Sequence, residues 1–129
     1  MKNKFFKSLI LIITLSTVLF SFKVCKQDST IIGVWKSESD TEWKIKFETN
    51  DLCSWYYENV QTDVYSYVLS NSSPKCNQTV LVNSKTNYLT LTNNDDINDK
   101  ICYEIYSISS SKLTLREINS SGFLIFNKE

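Results

Sequence analysis

Four cysteines, three tryptophans, seven tyrosines and no histidine set the chemistry open to this 129-residue chain. Without histidine, the commonest general base and metal ligand is missing. No G-x-S-x-G, H-E-x-x-H or glycine-rich phosphate loop occurs, and Gly33 and Gly122 are the sole glycines. Asp95, Asp96 and Asp99 crowd into TNNDDINDK, a faint likeness to a calcium loop. The run lacks the twelve-residue ligand pattern and its closing bidentate glutamate, so it reads as a solvated hairpin turn. Glu104 and Glu117 fall on the polar phase of strand-like runs and read as surface residues. Neither a catalytic centre, a metal site nor a cofactor is expected.

Thiols and aromatic rings remain. Cys25, Cys53, Cys76 and Cys102 are spaced by 28, 23 and 26 residues, with no C-x-x-C, which argues against zinc. In an exported chain they should pair or be modified. In one arrangement all four form two disulfides. In the other, Cys25 is lipidated as the first residue of the mature chain and one of the remaining three stays unpaired. The expected bridge is then Cys76–Cys102, tying the Ser-Pro-rich connection to the strand KICYEIYSI. The aromatics concentrate in WYYENVQTDVYSY (55–67). An interior lined by Trp43, Trp55, Tyr65 and Tyr67 could hold a small apolar ligand, the tyrosine hydroxyls orienting it. The competing reading is a small barrel filled by its own large side chains. Tyr56 and Tyr103, assigned to the outer phase, could instead form a patch that docks another protein.

The elements that must position these residues begin after an export signal. Lys2, Lys4 and Lys7 precede the uncharged run 8–22, the layout of a signal peptide over 1–24. The run is short for a membrane span, which needs about 20 apolar residues, though an uncleaved anchor is the alternative. Without Lys2, Lys4, Lys7 and Lys23, ten basic side chains face fourteen acidic ones, a net charge of −4. No basic stripe is left for nucleic acid. From Ile31 onward the apolar residues alternate with a period of two, as in half-buried strands. Nine runs keep it: IIGVW, WKIKF, CSWYY, YSYVL, TVLVN, YLTLT, KICYEIYSI, KLTLREI and GFLIFN. Polar connections separate them, and Asn, Asp and Ser must supply most turn conformations. The pattern predicts an all-β antiparallel up-and-down barrel of eight or nine strands over 31–129, behind a tether at 25–30.

IIGVW (31–35), CYEIYSISSSKLTLREI (102–118) and GFLIFNKE together resemble the small lipocalin-like lipoproteins of Bacteroidetes. The resemblance implies a lipid anchor at Cys25, followed by the polar Lys26-Gln27-Asp28. Phe22-Lys23-Val24 depart from the usual lipobox, which has a small residue before the cysteine. It also implies that Trp35, spaced from Gly33 as G-x-W, plugs the closed end beneath a basic side chain. Arg116 is the first choice for that cation–π partner and Lys128 the second. The expectation is a monomeric envelope protein, held at the outer membrane or secreted. It would bind a small hydrophobic ligand or, with a solid core, act as an interaction module for another envelope protein.

Overall fold

In the computed structural model the described residues are 30–72, 76–80 and 87–129. The expected export signal, Cys25 and all of the expected tether but Thr30 lie outside them. Eight strands follow in chain order: β1 (Gly33–Ser37), β2 (Trp43–Phe47), β3 (Leu52–Tyr57), β4 (Val60–Ser70), β5 (Asn87–Asn93), β6 (Lys100–Ile108), β7 (Lys112–Glu117) and β8 (Leu124–Lys128). Each pairs antiparallel with the next, and β8 returns to β1, so the sheet closes into an up-and-down barrel. Closure removes the unpaired edges that a meander would leave open. The ninth expected strand, TVLVN, is not among the described strands. Thr79 and Val80 are outside any strand, and 81–83 lie outside the described residues.

The period of two explains the inside. Ile45 and Phe47 on β2, Leu89 and Leu91 on β5, and Leu113 and Leu115 on β7 are inward and almost wholly buried. Their polar neighbours face outward. The turns use the residue types expected in a glycine-poor chain: Asp51, Asn59, Asn77 and Asn119 all have positive φ. Glu58 and Asn59, with φ of 50° and 65°, form the two-residue turn between β3 and β4. That pair of positive values marks the I′ type, whose twist suits a hairpin.

One end of the barrel is closed by chain and side chain. Ile31 is buried beneath the strands, and its carbonyl accepts a hydrogen bond from the Trp35 indole at 2.6 Å. Across the β1–β8 pairing, Trp35 stands opposite Lys128, whose Nζ lies 4.9 Å from the indole centroid. Gly33 makes this arrangement possible. Its φ is +131°, and a Cβ there would stand 2.8 Å from Lys128 Cε. The resemblance's first choice, Arg116, is not the partner: it sits on the outward phase of β7, between Leu113 and Leu115 on one side and Glu117 on the other, and pairs with Glu104 of β6. The second choice, Lys128, takes the position because only barrel closure brings β8 alongside Trp35.

The β4–β5 connection leaves Ser70 at this closed end and reaches the other. Cys76 is disulfide-bonded to Cys102 on the outer face of β6, with Cα atoms 6.1 Å apart. Gln78 accepts a hydrogen bond from the Asn119 side chain, beyond the far end of β7. Thr90, paired with Cys102 across β5 and β6, is on the outward phase yet buried. Its hydroxyl lies 3.5 Å from Cys102 Sγ. Cys53 is the free cysteine among the described residues, inward on β3 and fully buried.

Candidate functional site

The opposite end is open. The β1–β2, β3–β4, β5–β6 and β7–β8 connections meet there, because in an up-and-down barrel alternate hairpins share an end. Between them lies a cavity of ≈ 450 Å³, within the usual range for small-molecule sites. Trp43, Trp55, Tyr65 and Tyr103 form its aromatic wall, with Phe126 below and Asp40 and Asp63 toward solvent.

Strand register places these groups. Ile45 pairs with Trp55 and Trp43 with Tyr57, so both indoles project inward at the mouth. Their centroids are 6.1 Å apart at 78°, an edge-to-face contact. Such contacts add about 0.5–1.5 kcal/mol beyond area burial and hold the rings in one arrangement. Trp55 also meets Phe126 edge-on at 6.2 Å, which fixes the depth of its ring. A bulge follows at once: Trp55 pairs with Asp63 but Tyr56 with Gln61, leaving Thr62 as the extra residue of β4. Bulges of this kind re-aim side chains. This one keeps Asp63 on the inward phase opposite Trp55.

Two features distinguish the cavity wall from an ordinary packed core. The Trp55 indole nitrogen is buried with no hydrogen-bond partner among the described residues. An unmade bond on a buried donor costs about 1–3 kcal/mol, so such a group is uncommon in a finished core. The second feature is a set of withheld protons. Burial pushes the Tyr103 hydroxyl up to about 12, with Glu117 adding to the effect. Burial raises Tyr65 as well, and Asp63 and Asp99 add to it. As in any tyrosine, both hydroxyls are neutral at physiological pH and can donate or accept hydrogen bonds.

Three of the four ligand candidates meet here: Trp43, Trp55 and Tyr65. Tyr67 does not join them. It packs edge-on against Phe47 at 5.2 Å, and its hydroxyl donates to the Glu48 carbonyl near the closed end. Tyr103, assigned from sequence to the outer phase, is 5 % exposed and faces the cavity. The signal was available: Ile101 and Ile105 flank it at the same phase, whereas Cys102 and Glu104 share the other. Tyr56 is half-buried on the outer phase and hydrogen-bonds Gln61. The acidic turn uses its carboxylates for itself. Asp96 accepts the Asn98 N–H, and Asp99 accepts the Asn93 side-chain amide.

A closed eight-stranded antiparallel barrel with one plugged and one open end is the lipocalin-like class of architecture. Comparison with protein-family models, with curated proteins and with solved structures finds no match to this chain.

Proposed function

We propose that this is an exported binding protein that takes a small hydrophobic ligand into the open end of its barrel. One observation carries the reading: an aromatic cavity of ≈ 450 Å³ at the open end, lined by Trp43, Trp55, Tyr65 and Tyr103. The apolar body of such a ligand would cover Trp43 and Tyr65. The chain acts by binding and not by catalysis, and Cys25, as a lipid-bearing residue, tethers it to the outer membrane. Two acyl-type signals on one cysteine give the stable anchoring that a single chain does not.

Tryptophan emission tests the reading, because two of the three indoles lie in the cavity. Titration with fatty acids, retinoids, haem and small aromatic compounds should shift or quench the emission saturably. No response across the panel, with the barrel intact by circular dichroism, rejects the carrier reading. Mass spectrometry of the membrane fraction tests the anchor through a diacylglyceryl-modified peptide starting at Cys25.

A second reading has its own observation. Tyr106, the extra residue of the β6 bulge, is 60 % exposed and meets Phe123, itself 47 % exposed, edge-on at 5.0 Å. An aromatic pair held in solvent would suit docking on another envelope protein. That reading predicts a partner whose retention is lost in a Y106S/F123S variant.

A further inference from the structure

Acidic side chains predominate around the open end. Its four connections, 38–42, 58–59, 94–99 and 118–123, contain seven carboxylates and no lysine or arginine, and Asp63 of β4 and Glu117 of β7 at the adjoining strand ends make nine, against Lys100 at the start of β6. Of these, Glu38 is neutralised by Lys112. Two of the nine, Asp40 and Asp63, line the cavity itself, and no basic side chain among the described residues does. Neither is in an ion pair among the described residues. Asp40 Oδ1 accepts the Glu42 N–H at 3.1 Å, a turn contact that leaves its charge in place.

The wall beneath these carboxylates is aromatic. Trp and Tyr faces carry the negative part of the ring quadrupole and attract cations, most strongly where water is displaced. Carboxylates at the rim and ring faces below therefore favour the same sign of ligand charge. They disfavour an anion through repulsion, and no basic side chain among the described lining residues offsets it. The field reaches the tyrosine hydroxyls, since Asp63 and Asp99 both act on Tyr65. A bare metal ion does not fit, because among the described residues no three His, Cys, Asp or Glu side chains converge to hold one.

Resting on the carrier reading above, we propose that the ligand is a cationic organic amine with a flat apolar body. The body lies against Trp43, Trp55, Tyr65 and Tyr103. The ammonium end points to Asp40 and Asp63. The acidic rim raises the local concentration of such a cation before it enters, as one-signed clefts do.

Three fluorescent probes that share a dansyl ring and differ in their end group test this. One is dansylcadaverine, ending in an ammonium; the second is its N-acetyl derivative; the third is 6-(dansylamino)hexanoate. Binding to the full chain, with its disulfide intact, is read by energy transfer from tryptophan. The ammonium probe should bind about tenfold more tightly than the acetylated one, the carboxylate most weakly, with the preference shrinking as salt is added. A D40N/D63N variant should bring the ammonium probe down to the level of the acetylated one. Both side chains are exposed, so the fold should persist, and an unchanged circular dichroism spectrum checks that. Equal binding of the ammonium and acetylated probes, or tightest binding of the carboxylate, overturns the charge preference and leaves the carrier reading standing. Binding of none of the three, together with silence across the panel of fatty acids, retinoids, haem and small aromatic compounds, removes both.

Discussion

Replacing Gly33 with alanine should be among the most damaging small changes in this barrel. Two effects combine, and the structure separates them. At φ of +131° an L-residue is in sparsely populated backbone, worth about 1–3 kcal/mol. The new Cβ would also stand 2.8 Å from Lys128 Cε and 3.4 Å from Nζ. A lysine stem is flexible, so it would swing away and give up its place over Trp35. Loss of that cation–π contact adds about 0.5–2 kcal/mol. The expected total is about 2–4 kcal/mol, a large part of the 5–15 kcal/mol typical of whole domains. Urea unfolding followed by tryptophan emission measures it, with an unchanged m-value showing that the native surface is preserved. K128A alone should cost about 0.5–2 kcal/mol. In the K128A background G33A should lose its steric component and cost about 1–3 kcal/mol, the strain alone. A G33A variant within about 0.5 kcal/mol of the parent, a change typical of featureless surface sites, would refute the reasoning about the backbone. An equal cost in both backgrounds would refute the clash.

Opening the Cys76–Cys102 bridge, which spans a sequence separation of 26, should lower stability by about 3.5 kcal/mol on the chain-entropy model. Urea midpoints of the parent and a C76S/C102S variant, both under reducing conditions, should then converge. Alkali should weaken the barrel for a different reason. Burial raises Cys53 from 9.0 to about 12 and Tyr103 from 10.0 to about 12, so the folded state holds both protons longer than the unfolded chain. Their stabilisation is whole below pH 9 and is lost as pH climbs toward 12. Tyr103 alone accounts for about 2–3 kcal/mol of it. Unfolding monitored at rising pH should follow that window, and Cys53 should resist thiol reagents until the chain unfolds.

Fold class could be read from sequence because strand periodicity is local. WKIKF and KLTLREI each announce which side chains turn inward, and the barrel uses those assignments. The same signal places Arg116 outward with Thr114, which the choice of Arg116 as Trp35's partner overlooked. What periodicity does not convey is which strands meet at closure. Lys128 faces Trp35 only through the β1–β8 register, a relation between residues 93 positions apart in the chain. Bulges were equally hidden. The extra residues Thr62 and Tyr106 shift the phase midway along β4 and β6, so a count of alternation cannot carry a side chain's direction past them. The cavity residues Trp43, Trp55 and Tyr65 were recognisable as inward aromatics. Tyr67 shares their phase but lies two residues further along β4 toward the closed end, a depth that alternation does not encode.

The plugged end has a bearing on orientation. Thr30 and Ile31 enter the fold on that side, beneath Trp35, so whatever holds the preceding chain holds the barrel by its base. Six residues from 25 to 30 reach at most about 20 Å when fully extended. Were Cys25 seated in a bilayer as proposed, the barrel would stand close to the lipid with its mouth directed away from it. Solutes would then arrive from the aqueous side, past the carboxylates, and not by lateral passage out of the membrane.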